Sequence, residues 1–378
     1  MQPQHEVATV LNAHWLQVQQ STKFNTWQLR TLHAVRRCRS AALGAHVEGC
    51  SSCGHLRISY NSCRNRHCPK CQGNEREKWI QAREQELLPV PYFHVVFTLP
   101  DTLNPLCLHK DKEVYNILFQ TAWSVLNSFG RDPKWMGAQS GMIAILHTWG
   151  QTLSLHPHLH CIVPGGGLTK QGKWKTAKAN GKYLFSVKAM SKVFRGRFIA
   201  ALQEKLPAQM HPELVNELYK NKWVVFAKRP FNGPQSVIEY LGRYTHKIAI
   251  SNHRIKNISD GKVSFSYKDY KHDSVKKEMT LDALEFIRRF AMHILPKGFV
   301  RIRHYGIVSS TSKAVCAVVI KEQLPPLQQN AKPKKEIYNP LQCPACKKET
   351  MQTLLRFNRR GPPGDWQQMA KNILKCIV

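Results

Sequence analysis

Residues 156–160 read HPHLH, inside the run 142-MIAILHTWGQTLSLHPHLHCIVPGGG-167. Successive side chains of a strand point to opposite faces, so His158 and His160 share one face, with Leu159 buried behind them. Two imidazoles on one face can each offer a nitrogen to a single divalent ion. His156 precedes Pro157 and is expected in the turn before the strand. Further along, 236-SVIEYLGRYTHK-247 reads as a helix. There Tyr240 and Tyr244, four residues apart, share a helix face, and Lys247 lies nearly on it. Taken alone, a tyrosine pair on a helix is more often core or interface, and paired histidines are commonly satisfied or exposed.

A second constellation is 50-CSSCGHLRISYNSCRNRHCPKCQ-72, with two CxxC pairs. Each CxxC turn places two sulfurs on one side, and two such knuckles can close the tetrahedron that zinc takes in structural sites. The spacing assigns a zinc ion to Cys50, Cys53, Cys68 and Cys71. Cys63 and His67 are open: they replace one of the four, belong to a second site, pack, or contact nucleic acid. Arg64, Arg66 and Lys70 stand among the ligands, which suits phosphate contact. A third pair, Cys343 and Cys346, has no partner pair nearby in sequence, so zinc there is left undecided. Cysteines clustered this way, without a secretory signal, point to a reducing compartment and to metal rather than disulfides.

These residues need elements to hold them. Residues 5–47 are expected to be largely helical, and 74–88 forms a charged helix that 89-PVP-91 ends. A strand over 92–100, a helix over 110–129 and strands over 142–148 and 158–164 follow. Next come a helix over 188–206, a strand within 221–230, the tyrosine helix 235–247 and a hairpin over 254–270 turning at Asp260-Gly261. Trp149, Trp174 and Trp223 are expected in core packing rather than base stacking. The stretch 324–340, rich in Pro, Gln and Lys, reads as a linker. The expected organisation is a helical and zinc-binding domain at 1–88, a central domain at 89–311, and a basic C-terminal segment at 312–378 with a possible small zinc knuckle.

The charge balance names the partner. Lys and Arg outnumber Asp and Glu by 56 to 24, a formal net charge of +32. Of that, +6 falls in 1–88, +18 in 89–311 and +8 in 312–378, so no tail accounts for it and the folded body carries the basic surface. An excess of this size calls for a polyanion. No apolar run is long enough to span a bilayer, and the first residues lack the pattern of a signal peptide. Nucleic acid in the cytoplasm is the expected partner, not a membrane.

Phe97-Thr98-Leu99 on a strand, then His158-Leu159-His160, then Tyr240 to Lys247 stand in the order of the three motifs of the HUH single-strand endonucleases. The sequence resembles the two-tyrosine form, found in transposases of rolling-circle insertion sequences, and the cysteine segment resembles their N-terminal zinc-binding domain. The resemblance covers roughly residues 46–310. It implies an α+β fold: an antiparallel sheet of about five strands with the histidine strand central, the tyrosine helix packed against it, and a small zinc-binding domain ahead of it. It implies a DNA transposase that nicks and rejoins single-stranded DNA through a 5′-phosphotyrosine link. Tyr240 and Tyr244 would be nucleophiles, Tyr244 acting first because its spacing to Lys247 matches the one-tyrosine motif. Lys247 would steady charge, and His158 and His160 would hold Mg2+ or Mn2+.

The third ligand of that ion is expected to be Gln151, with His147 as second choice; no acidic residue lies between Asp132 and the histidines. Arg64, Arg66 and Arg243 would contact DNA. Partners would be single-stranded DNA at the element ends and target, in the bacterial nucleoid, and host replication proteins, since no GxxxxGK[ST] phosphate loop occurs. Two alternatives stand: a rolling-circle replication initiator with the same chemistry, and a non-catalytic zinc-finger DNA-binding protein.

Overall fold

The structure is a computed structural model and describes residues 3–72, 77, 79–82, 87–178, 184–228, 248–270, 272–325 and 339–377. In chain order the strands are β1 (Ala45–Cys50), β2 (Leu56–Tyr60), β3 (Tyr92–Thr98), β4 (Gly141–Trp149), β5 (Leu155–Pro164), β6 (Gly166–Leu168), β7 (Trp174–Thr176), β8 (Val225–Lys228), β9 (Ile255–Ser259), β10 (Lys262–Asp269), β11 (Val275–Asp282), β12 (Ile302–Gly306) and β13 (Met351–Phe357). The helices are α1 (Val7–Ala13), α2 (Trp15–Gln20), α3 (Thr26–Arg37), α4 (Asn104–His109), α5 (Asp111–Arg131), α6 (Val187–Lys205), α7 (Pro212–Lys220), α8 (Ala283–Ala291), α9 (Lys313–Gln323) and α10 (Trp366–Ile377). The expected helix 235–247 lies outside the described residues, as do most of 74–88 and most of the linker. No helix among the described residues is long and apolar enough to cross a membrane.

The three consecutive segments expected from sequence are not the compact units. One unit gathers Met1–Lys78, Ile250–Ile294 and Pro333–Val378; the other holds Trp79–Ala249 and Leu295–Lys332. Long-range strand pairing is the reason. In the first unit β13 pairs antiparallel with β1, which pairs with β2, so the C-terminal segment completes a sheet begun near the N-terminus. α3 starts with a capping box, in which Asn25 accepts from the Gln28 amide and the Gln28 side chain accepts from the Asn25 amide. The expected helical stretch 5–47 ends early. Gly44 takes φ +73°, where a Cβ would lie 2.5 Å from the Phe357 carbonyl oxygen, and β1 follows. The hairpin β9–β10 forms as expected, with Asp260 and Gly261 both at positive φ, the geometry of a type I′ turn.

The second unit is built on a five-stranded antiparallel sheet in the order β12-β4-β5-β3-β8. The histidine strand β5 is central, as expected. Alternation sorts its side chains. Leu155, Leu159, Cys161 and Val163 join Phe93, Val95 and Phe97 of β3 and Met142, Ala144 and Leu146 of β4 in one core. α5 and α6 pack on each other and supply Leu118, Phe119, Phe194 and Phe198 to it. The opposite face is divided along its length. At one end Tyr92, Ile145 and Ile162 bury against Ile307 and Ile320; at the other stand the histidines. Burial of the first face fixes register, because a slip of one residue would turn every histidine into the core.

Candidate catalytic site and cysteine clusters

His158 and His160 point together from β5, and their Nε2 atoms are 3.1 Å apart. Antiparallel pairing sets His147 of β4 opposite His158, and the three rings form one cluster whose ligand nitrogens lie within 4.8 Å of one another. The His147 ring centroid is 4.6 Å from that of His160 and 5.4 Å from that of His158. Trp149 stacks on His147 at 4.7 Å, and the Arg301 guanidinium lies 5.3 Å from the Trp149 ring. Gln151, the first choice for a third ligand, lies in the turn between β4 and β5; the second choice, His147, is the residue grouped with the pair.

The hydrogen bonds behind the rings bear on which ring nitrogens carry the proton. His158 Nδ1 is 2.6 Å from the carbonyl oxygen of His156, which only accepts, so Nδ1 carries the proton and Nε2 keeps its lone pair. His160 Nδ1 is 2.8 Å from Nε2 of His94 on β3. When His160 Nδ1–H donates to His94, the Nε2 lone pair of His160 also faces the cluster. His94 is suited to accept: burial, then the charges of Lys228 and His158, push it down to about 4, so its ring is neutral at pH 7. Two facing lone pairs repel unless a cation lies between them. Their 3.1 Å separation is close to the edge of about 3.0–3.4 Å that two imidazole nitrogens make on one ion at about 2.1 Å. The donor set therefore fits a divalent metal. Metal-bound histidines usually donate their other N–H to a carbonyl or similar acceptor, which is the arrangement on His158, and on His160 when its Nδ1–H donates to His94.

His94 was missed in the sequence because it stands alone on an apolar strand. Its signal was the alternation of 92-YFHVVFT-98, which puts residue 94 on the face opposite Val95 and Phe97. Tyr240, Arg243, Tyr244 and Lys247, expected from sequence on one helix, lie outside the described residues.

The cysteines assemble differently from the sequence expectation. A single tetrahedron of Cys50, Cys53, Cys68 and Cys71 is not formed. The structure makes two sets, Cys38 with Cys63, Cys68 and Cys71, and Cys50 with Cys53, Cys343 and Cys346. The strands separate them. Cys50 and Cys53 sit where β1 turns into β2, and the five residues of β2 then carry the chain about 16 Å away. Cys63, Cys68 and Cys71 lie beyond the far end of β2, where Arg39 N–H donates to the Asn61 carbonyl at 3.1 Å and Cys38 caps α3. β13 runs the other way along β1, with Met351 opposite Cys50, so the preceding pair Cys343 and Cys346 arrives at the near end.

Both sets have metal-site dimensions. Sulfurs are 3.5 Å apart for Cys38–Cys71, 3.7 Å for Cys63–Cys71, 3.6 Å for Cys50–Cys346 and 3.7 Å for Cys53–Cys343. A tetrahedron with zinc–sulfur bonds of about 2.3 Å has edges of about 3.8 Å. In the first set, contact with Cys38 is the largest influence on each neighbour; it drives Cys71 far down and Cys63 and Cys68 far up. Hydrogen bonds from Cys63 and then Cys68 hold Cys38 itself down to about 7. Four sulfurs this close cannot all ionise without a cation among them. His67, left open by the sequence, is buried outside both sets. Arg64 is exposed and Arg66 half-buried; Lys70 pairs with Glu6 at 2.6 Å.

Comparison with known proteins identifies the family. The family described as "Putative transposase" matches residues 141–315, and the "Transposase zinc-binding domain" matches residues 10–99. The "Putative transposase y4qJ" of Sinorhizobium fredii (strain NBRC 101917 / NGR234) is 42% identical over 376 residues, 92% of this chain and 94% of that one. The "Transposase for insertion sequence element IS801" of Pseudomonas savastanoi pv. phaseolicola is 29% identical over 321 residues, 79% of this chain and 74% of that one. No solved structure matches. The chain belongs to the IS91/IS801-type transposases, DNA-processing enzymes of insertion sequences, and carries their zinc-binding domain.

Proposed function

We propose that this transposase cuts and rejoins single-stranded DNA by a tyrosine nucleophile during rolling-circle transposition. The observation that supports it most is the cluster of His147, His158 and His160 on the central sheet, with the Nε2 atoms of His158 and His160 3.1 Å apart. A divalent ion held there would supply a Lewis acid that polarises a non-bridging phosphate oxygen. Imidazole suits zinc, copper, iron and nickel, and carboxylate and water suit magnesium and manganese; of these last two, manganese, as a first-row transition ion, takes nitrogen ligands more readily than magnesium. With three histidines and, among the described residues, no carboxylate in the cluster, Mn2+ is the better activator of the two candidates.

The phenol oxygen of Tyr244, or of Tyr240 in a second round, attacks the phosphorus. The tyrosine–phosphorus bond forms as the phosphorus–O3′ bond breaks, and the 3′-oxygen leaves and takes a proton. Tyrosine holds its own proton up to about pH 10, so the phosphate must be made more electrophilic and the phenol positioned. Lys247 steadies the developing charge. A free 3′-hydroxyl attacks the 5′-phosphotyrosine in reverse, which conserves the phosphodiester for strand transfer. Zinc on Cys38, Cys63, Cys68 and Cys71 holds the N-terminal domain, with Arg64, Arg66 and Arg243 on DNA phosphates. The chain's strong basicity suits single-stranded DNA in the cytoplasm, at the nucleoid, where host replication proteins supply unwinding and synthesis.

The test is cleavage of labelled single-stranded DNA carrying the element's ends, with Mn2+, Mg2+ or chelator. A covalent protein–DNA adduct is expected that needs metal, is reduced by Tyr240→Phe or Tyr244→Phe, and is absent when both are changed. Adduct formation that survives the double change, or tight binding of the cognate strand with no adduct at all, refutes the proposal.

A further inference from the structure

We propose that Cys50, Cys53, Cys343 and Cys346 form a second structural zinc site that clasps the C-terminal segment 339–377 to the N-terminal sheet. This inference stands apart from the catalytic reading and does not depend on it. The family match to the zinc-binding domain ends at residue 99, far before two of the four ligands.

Three observations carry it. The two knuckles have the same backbone form. In the first, Gly54 N–H donates to the Cys50 carbonyl at 3.0 Å and Gly54 has φ +72°; in the second, Lys347 N–H donates to the Cys343 carbonyl at 3.0 Å and Lys347 has φ +64°. A non-glycine residue held at positive φ is strained, and that turn aims both cysteines of its pair to one side. The cross-pair distances, 3.6 Å for Cys50–Cys346 and 3.7 Å for Cys53–Cys343, are those of a zinc–sulfur tetrahedron and well beyond a disulfide bond of about 2.0 Å. The surroundings also suit metal thiolates. Thr350 Oγ1 is 3.0 Å from Cys50 Sγ and can donate to it, while Cys50 and Cys343 are buried with Met351 in a cluster too small to be a core. So small an apolar cluster needs a staple.

The consequence is topological. β13 and α10 pack on β1, yet nearly three hundred residues separate Cys53 from Cys343. Closing a loop of that length costs entropy that a metal bond offsets once formed. Binding releases the protons of the thiols that ionise, so four thiols and one Zn2+ give one zinc tetrathiolate and four protons in solution.

The experiment uses the full chain, purified under reducing conditions without added metal. Elemental analysis is expected to give two zinc ions per chain, falling to one in Cys343→Ser/Cys346→Ser and to one in Cys68→Ser/Cys71→Ser. Alkylation of the native wild-type protein, mapped by peptide mass, covers the case in which a variant fails to fold. Cys376, exposed on α10, is expected to react at once, and Cys50, Cys53, Cys343 and Cys346 only after chelation. One zinc per chain with those four thiols freely reactive overturns the proposal, as does a Cys53–Cys343 or Cys50–Cys346 disulfide in the native protein.

Discussion

Replacing His94 by phenylalanine isolates the hydrogen bond that sets the His160 tautomer. Phenylalanine keeps a ring of similar size against His160, whose centroid is 5.1 Å away in a near-parallel stack. It deletes the acceptor 2.8 Å from His160 Nδ1. Both residues are buried, so no water readily replaces it. His160 then has two choices. It keeps Nδ1–H, leaving a buried donor unsatisfied at a cost of about 1–3 kcal/mol, or it moves the proton to Nε2 and loses the lone pair that faces the metal. Either route weakens metal binding by about 1–3 kcal/mol. At about 1.4 kcal/mol per tenfold, that is a loss of roughly 5- to 150-fold, in line with the 10- to 100-fold usual for such supporting contacts.

The assay is Mn2+ binding to the full chain, followed by the electron-resonance signal of free Mn2+ at fixed pH, beside adduct formation as a function of Mn2+ concentration. The expected result is a higher Mn2+ requirement with near-normal cleavage at saturation. His94→Gln, which offers a side-chain carbonyl as acceptor, should recover part of the affinity. Unchanged Mn2+ affinity in His94→Phe, with the protein folded, would show that His160 does not depend on His94, and the tautomer argument would fall.

Two further outcomes follow from the geometry. His147→Ala should abolish Mn2+ binding, whereas Gln151→Ala should leave it within a few-fold; the reverse order in a titration would make Gln151 the third ligand. A pH series should reveal Glu285, whose carboxylate is pulled down to about 2, chiefly by the hydrogen bond from Arg288 and despite some burial. Its folded pKa lies below the unfolded value of about 4.3, so its contribution to α8 is complete above about pH 4.3 and is lost as pH falls towards 2. The group is partly solvated, which limits the effect to a few tenths of a kcal/mol. Urea melts of the wild type against Glu285→Gln should converge as pH falls to about 2, and a difference unchanged from neutral pH down to about pH 2 would refute the assignment.

The sheet and its histidines were legible because two short-range rules agree along β5. Alternation put Leu159 on one face and His158 and His160 on the other, and the apolar runs around 92–98 and 142–148 supplied neighbours for both edges of that strand. His147 was legible only as an alternative, since nothing in the order of residues says that it pairs with His158 across the turn. That depends on register, and the ladder is irregular between His147 and Trp149. His94 was not legible as a supporting group. A lone histidine in an apolar strand is ordinary, and its role appears only when the diagonal neighbour on the adjacent strand is known to be His160.

The cysteines show where spacing rules stop. Two CxxC pairs fourteen residues apart in sequence satisfy the pattern for one zinc, and the pattern treats the residues between them as slack. Here they are not slack. Leu56–Tyr60 is a strand, and a strand is the least compressible connection a chain can make, so it holds the two pairs at opposite ends. Each pair then needs partners delivered by other elements: Cys38 from the end of α3 with Cys63 from the loop after β2, and Cys343 with Cys346 from the approach to β13. The basic C-terminal segment expected to be a linker with a small zinc knuckle thus supplies, in part, a structural strand of the N-terminal sheet. The pair at Cys343 and Cys346, which lacked a partner in the linear sequence, is the clue that one zinc at 50–71 left a pair of ligands over.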